Sequence, residues 1–212
     1  MKSTKKNTDY WANRKIDWVK SYLELWNHPH RAMLAYRCSL FKWESMLEVG
    51  CASGPNLFHF LKAFPNRDIG GVDLNEDAIK VARQVLELRR LQMPSRTVYA
   101  EVASGNNIFI GDQSTDLVLT DMTLIYVDPL KIKSYLKEFK RLARVKVVFY
   151  EFYSPRLWDR LRMMWRGYYA HNYPKLLKNM GFDDIIVTKL PPESWPESKQ
   201  HQKFGYIIEA SV

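Results

Sequence analysis

A chain of 212 residues, 46% apolar and 26% charged, has the length and balance of one folded domain, and its two cysteines, Cys38 and Cys51, exclude a disulfide-built secreted framework. The net charge of +9, from 32 basic and 23 acidic residues, is scattered rather than gathered into a stripe, which disfavours a backbone-tracking nucleic-acid protein. Residues 1–15 are polar and basic, and no apolar run nears the roughly 18 residues of a membrane span, so a soluble cytoplasmic protein without a signal peptide is expected.

The first forty residues read as helical and aromatic. Trp11, Trp18, Tyr22 and Leu25 recur at helical spacing, Asn27-His28-Pro29 interrupts them, and a second helix runs to about Leu40. Residues 1–44 form an expected helical cap on a single domain of residues 45–212. Met46-Leu47-Glu48-Val49 reads as a buried strand, followed by a glycine-bearing turn and a helix from Pro55 to Phe64. Ile69 to Asp73 is the next strand. Asn75 then caps a helix to Arg89 whose first turn carries Glu76 and Asp77. Thr97 to Val102, Leu117 to Thr120 and Val145 to Phe152 supply further strands, with a helix from Pro129 to about Arg144 before the last. Gly54-Pro55, Asp128-Pro129 and Ser154-Pro155 each place a capping residue before a proline at a helix start.

This alternation demands an α/β fold with a parallel sheet and crossover helices. It breaks near the end, where Ile185 to Leu190 and Tyr206 to Val212 are consecutive strands. Pro191, Pro192 and Pro196 stand between them and bar a crossover helix, so an antiparallel pair at a sheet edge is expected.

The informative segment is Leu47-Glu48-Val49-Gly50-Cys51-Ala52-Ser53-Gly54-Pro55-Asn56-Leu57. A strand entering a small-residue turn and leaving as a helix is where open α/β sheets bind nucleoside ligands. Gly50 permits the sharp turn and close approach of backbone to a ligand. Asp73 ends the next strand, where a carboxylate can accept both hydroxyls of a ribose. A dinucleotide fingerprint would want glycine at positions 50, 52 and 55, and Ala52 and Pro55 fail it.

These residues resemble the class I S-adenosylmethionine-dependent methyltransferases. Glu48, Gly50, Ala52 and Gly54 match the family's first motif, an acidic residue followed by alternating small residues. Asp73 in Gly70-Gly71-Val72-Asp73-Leu74 matches the second. The resemblance implies a doubly wound, mostly parallel seven-stranded sheet of order 3-2-1-4-5-7-6 with the last strand reversed and an N-terminal helical lid. It implies S-adenosyl-L-methionine as cofactor. Glu48 would organise its ammonium end, backbone and side chains from Gly50, Cys51, Ala52, Ser53, Gly54 and Asn56 its methionine portion, Asp73 its ribose and Leu74 its adenine. Ser104 stands where the family often has an acidic adenine contact. Asp121 lies in the segment between cofactor and substrate, and Tyr10, Trp11 and Arg14 belong to the lid.

Methyl transfer from a sulfonium needs alignment more than covalent help, so a catalytic base leaves no obligatory signature. Thr120-Asp121-Met122-Thr123 lacks the proline motif of adenine and glutamine N-methylating enzymes, and the Asp-Asn metal pair of catechol-type members is missing. His28 and His30 read as helix-entry residues, and no metal is expected. A small-molecule acceptor methylated at oxygen or nitrogen is the expectation. RNA and a non-catalytic scaffold role are the alternatives. Tyr126, Glu151 and His171 are the catalytic candidates, His171 first as base. Tyr126, Tyr153 and residues 158–173 are expected to wall the acceptor pocket. Leu157, Trp158, Leu161, Met164 and Trp165 form one stripe, with Arg156, Arg160, Arg162 and Arg166 mainly opposite. The first reading is a helix packed over the pocket. Contact with a membrane surface, or with an anionic substrate or RNA, stands beside it.

Overall fold

The computed structural model describes residues 9–15, 22–90 and 97–212; Trp18 lies outside them. Its sheet has the order β3-β2-β1-β4-β5-β7-β6. The strands are β1 (Ser45–Val49), β2 (Asp68–Asp73), β3 (Val98–Val102), β4 (Thr115–Asp121), β5 (Ala143–Phe152), β6 (Asp183–Lys189) and β7 (Gly205–Ser211). The first five pair in parallel, and β7 runs antiparallel to both β5 and β6. The reversed edge pair is thus as the sequence led one to expect.

The α-helices that accompany the sheet from Pro29 onward are α1 (Pro29–Ser39), α2 (Pro55–Ala63), α3 (Glu76–Arg90), α4 (Ile132–Leu142), α5 (Leu157–Trp165), α6 (Tyr173–Asn179) and α7 (Lys199–Phe204). Side chains alternate across a strand, so the central strands feed two cores. Met46, Leu117, Leu119 and Val148 meet α1, α2 and α3 on one face. Leu47, Val118, Val147 and Phe149 meet α4 and α6 on the other. Both faces are covered, which is why β4 is buried along its whole length. No helix among the described residues is long and apolar enough to cross a membrane.

Local chemistry sets most helix starts. Gly54 takes a left-handed φ of 84° before Pro55, and Asn75 Oδ1 accepts from the Ala78 amide at 2.8 Å. The other two Xaa-Pro pairs act differently from expectation. Asp128 Oδ1 accepts from the Leu130 amide at 2.8 Å, closing a turn, so α4 starts only at Ile132. Ser154 Oγ accepts from the Arg156 amide at 3.2 Å, and α5 starts at Leu157.

One buried carboxylate fixes the turn after β4. Glu151, at the end of β5, is fully buried; its Oε1 accepts from the Thr120 hydroxyl at 2.8 Å and from the Thr123 and Leu124 amides at 3.0 Å. Its Oε2 accepts from the Ile125 amide at 3.1 Å. An unsatisfied buried donor costs about 1–3 kcal/mol. Glu151→Ala orphans three such amides, so urea denaturation of this variant is expected to show a loss of about 3 kcal/mol or more. Glu151→Gln, which keeps an acceptor oxygen, is expected to lose less.

Candidate active site

A cavity of about 360 Å³ opens beyond the carboxyl ends of β1, β2 and β4. One half is built by the turns after the first three strands: Gly50, Ala52, Asp73, Leu74, Ala103 and Gly105. The other half comes from later in the chain, with Ile125, Tyr126, Phe152, Tyr168, Trp195 and His201. Trp11, Arg14 and Tyr22 line it from the N-terminal region.

In the first half, Gly50 holds φ at 80°, and a Cβ there would lie 2.1 Å from Thr123 Oγ1. Residue 50 is glycine for space as well as for conformation. Ala52 and Met122, both lining the cavity, also hold left-handed φ values, 49° and 53°. Such conformations are strained in non-glycine residues and need outside support. The Ala52 amide donates to Asp73 Oδ2 at 2.9 Å, and the Met122 amide to the Tyr150 carbonyl at 2.8 Å. Asp73 Oδ1 also accepts from the Asn75 amide at 2.8 Å. Each oxygen has a second lone pair, so the carboxylate is oriented and still able to accept hydroxyls in the cavity.

Beneath the cavity lies a buried polar network. Asp121 Oδ2 accepts from His30 Nε2 at 2.9 Å, Arg31 Nη1 at 2.8 Å and Asn56 Nδ2 at 2.9 Å. Burial alone would raise the Asp121 pKa, but His30, Arg31 and Asn56 hold it well below the usual carboxylate range. No hydrogen bond reaches its Oδ1 from the described residues, and Asp121 lines the cavity. Burial lowers the His30 pKa to about 4 against the pull of Asp121, so the ring is neutral at pH 7. His30 Nδ1 lies 2.6 Å from His28 Nδ1, and His28 Nε2 3.3 Å from the exposed Glu197.

Glu48, the acid of the first motif, does not line the cavity. Its Oε1 accepts from Asn56 Nδ2 at 2.6 Å, so it reaches Asp121 through Asn56. Cys51, Ser53, Gly54 and Asn56 are likewise buried behind the turn rather than on the cavity surface. Ser104 is also off that surface: its Oγ is 2.6 Å from Asn106 Oδ1, and its neighbours Ala103 and Gly105 line the cavity instead.

The catalytic candidates separate. Tyr126 lines the cavity, with its ring 4.8 Å from Trp11 and 5.7 Å from Tyr168. Glu151 does not line it, because both oxygens are spent on the turn after β4. His171 is buried with Nε2 2.9 Å from the Val127 carbonyl, and it faces a second cavity. Tyr153 packs on Tyr206 at 5.2 Å on the opposite sheet face. From residues 158–173 only Tyr168 reaches the main cavity; Trp158 and Trp165 are 81% and 86% exposed.

Trp195, Gln200 and His201 take the expected place of His171, and sequence reasoning missed them. All three lie in the proline-bearing connection between β6 and β7. Ser198 caps α7 by accepting from the His201 amide at 3.4 Å, and that Ser-Xaa-Xaa-His spacing was the one local signal available. The rings of Trp195 and His201 stack at 4.0 Å and 10°. His201 Nδ1 is 2.7 Å from Ser198 Oγ, and its other ring nitrogen has no hydrogen-bond partner among the described residues. Burial lowers the His201 pKa to about 4, against the opposing pull of Asp121.

Residues 46–146 match a family model described as a methyltransferase domain. Several solved structures share the fold. A Nostoc punctiforme PCC 73102 protein assigned as an O-methyltransferase is 17% identical with a TM-score of 0.68, covering 90% of this chain and 60% of that one. Haemonchus contortus phosphoethanolamine N-methyltransferase 2, solved with phosphomonomethylethanolamine and S-adenosylhomocysteine, is 15% identical with a TM-score of 0.70, over 97% and 60% of the two chains. Geranyl diphosphate C-methyltransferase from Streptomyces coelicolor A3(2) is 16% identical with a TM-score of 0.61, over 79% and 72%. The chain therefore spans about 60% of the length of the first two. No curated protein matches it in sequence.

Burial raises the Glu48 pKa to about 8, and its buried Oε2 has no hydrogen-bond partner among the described residues. A carboxyl whose folded pKa exceeds its ordinary 4.5 keeps a proton that the unfolded chain releases. Its contribution to stability is present below about pH 4.5 and is lost as pH rises toward about 8. Across this window the denaturant midpoint of the native protein is expected to fall relative to that of Glu48→Gln, a difference that isolates Glu48 from Glu151, His30, His171 and His201, which titrate in both proteins.

Proposed function

We propose that this chain, in which residues 46–146 match a methyltransferase-domain model, is a class I S-adenosylmethionine-dependent methyltransferase that methylates an oxygen or nitrogen of a small, uncharged acceptor held beside Trp195 and His201. The carrying observation is one cavity with two chemically different halves: an oriented carboxylate and bare glycine backbone in one, stacked rings and a neutral histidine in the other.

The cofactor half fits S-adenosylmethionine. Asp73, positioned by two backbone amides, would take the ribose hydroxyls, and Leu74 with Gly105 would flank the adenine. Backbone at Gly50 and Ala52 would lie along the methionine portion, and the second oxygen of Asp121 would take its ammonium group. The cofactor supplies a methyl group activated on a sulfonium. The protein's part is to align the acceptor, exclude water and receive a proton.

The acceptor half is suited to those tasks. Of its lining residues, Met122, Ile125, Tyr126, Phe152, Tyr168 and Trp195 supply shape, and none of them carries formal charge at pH 7. A charged acceptor would lose its hydration against these six side chains, and the cation that lines the cavity beside them, Arg14, lies over the Tyr10 and Trp11 rings, so an uncharged acceptor is favoured. His201 is neutral at pH 7, and its nitrogen opposite Ser198 accepts the proton an acceptor hydroxyl or amine sheds. Ser198 fixes the ring through the other nitrogen, and Trp195 holds its plane.

Two variants separate the halves. By calorimetric titration with S-adenosylhomocysteine, the native protein binds, Asp73→Ala binds at least tenfold more weakly, and His201→Gln stays within about twofold of native. Transfer of labelled methyl to a panel of phenols, alcohols and amines is expected to proceed with the native protein. His201→Gln slows it about a hundredfold or more, in the range of general-base catalysis. Native turnover in His201→Gln, or methylation of charged compounds alone, would reject this assignment of the acceptor half.

A further inference from the structure

The helix α5 does not cover the cavity with its apolar stripe. Met163 is its one buried residue; Leu157, Trp158 and Trp165 are 59%, 81% and 86% exposed. Trp158, Arg162 and Trp165 fall at i, i+4 and i+7, so two indoles and a guanidinium share one outward face. Arg156 and Arg166 are exposed at its two ends, and Leu130 nearby is 92% exposed. The helix's one acid, Asp159, is within 3.3 Å of the Ser154 hydroxyl.

Beside this face lies the second cavity, about 460 Å³, between α5, residues 129–133 and α6. Ile132, Leu161, Met164 and Leu176 give it an apolar lining, Lys133, Arg160 and Lys175 stand among them, and among the described residues no Asp or Glu lines it. Arg160 Nε is buried without a hydrogen-bond partner among the described residues. Exposed indoles, a row of cations free of acids and an adjoining apolar cavity answer to one chemistry, an anionic headgroup attached to an acyl chain. Tryptophan suits that boundary because its ring is apolar and its N–H polar.

We propose that α5 and the 129–133 segment dock this protein on the surface of an anionic phospholipid bilayer. Trp158 and Trp165 enter the headgroup region, and the arginines and lysines pair with lipid phosphates. The inference is independent of the acceptor assignment, because Trp158, Arg162 and Trp165 do not line the main cavity.

Co-sedimentation of the full chain with vesicles tests it. Phosphatidylcholine vesicles carrying about one third phosphatidylglycerol are expected to bind the chain at least tenfold better than pure phosphatidylcholine, since each cation near such a surface strengthens partition about fivefold. Arg162→Ala is expected to weaken binding about fivefold, and Trp158→Ala with Trp165→Ala at least tenfold. Both variants are expected to keep native affinity for S-adenosylhomocysteine, which shows that they fold. Absence of native binding to anionic vesicles, or undiminished binding by the variants, overturns the proposal. Retained vesicle binding alongside lost binding of an RNA homopolymer in the same variants also overturns it, in favour of an RNA face.

Discussion

One carboxylate oxygen joins three regions of the chain. Asp121 Oδ2, at the end of β4, takes hydrogen bonds from His30 and Arg31 at the start of α1 and from Asn56 at the start of α2. Removing a carboxylate from water costs several kcal/mol, and the cost is offset only when hydrogen bonds and opposite charge surround it. Here a guanidinium supplies the charge, and a neutral imidazole and an amide supply further donors. Asn56 extends the network to Glu48, and Arg31 Nε donates to the Leu25 carbonyl at 3.1 Å. The glycine turn, the first core helix and the central strand therefore cannot shift independently. The cavity's floor is set before any ligand contact is considered.

That rigidity has a local counterpart. Two non-glycine residues on the cavity surface, Ala52 and Met122, adopt left-handed backbone, and each is tied by its amide to a neighbouring strand or its end. Strain of this kind persists where surrounding structure over-determines it. The clamp of Glu151 on three consecutive amides does the same for the turn that carries Ile125 and Tyr126.

The half of the cavity built by the turns after β1 and β2 was legible in sequence because its signals are local. A glycine turn and an acid at the next strand's end lie within a single βαβ unit, and burial pattern places both. The other half was not legible, because its residues converge only through the sheet's topology. His171 stands in a polar, aromatic run, yet the chain turns its imidazole to the Val127 carbonyl. His201 sits in a segment whose prolines argued against a helix, and the six residues of α7 fit after Ser198 all the same. His28 and His30 do begin a helix, as their position beside Pro29 indicates, but the partnership of His30 with Asp121 spans 91 residues and leaves no local trace. The stripe on α5 misled for another reason: periodicity reports that a face is apolar without saying whether protein or something else meets it.

The reversal of β7 has a consequence for how the cavity wall can change. Because β6 and β7 pair as antiparallel neighbours, the chain between them need not cross the sheet and is free to vary in length. This connection brings Trp195, Gln200 and His201 to the cavity without contributing a strand to it. Closing a longer loop adds only about 0.6 kcal/mol for each doubling of length. A lineage can therefore rebuild this side of the cavity by insertion, deletion or replacement at the sheet's margin, while the network around Asp121 and the turn at Gly50 go on unchanged.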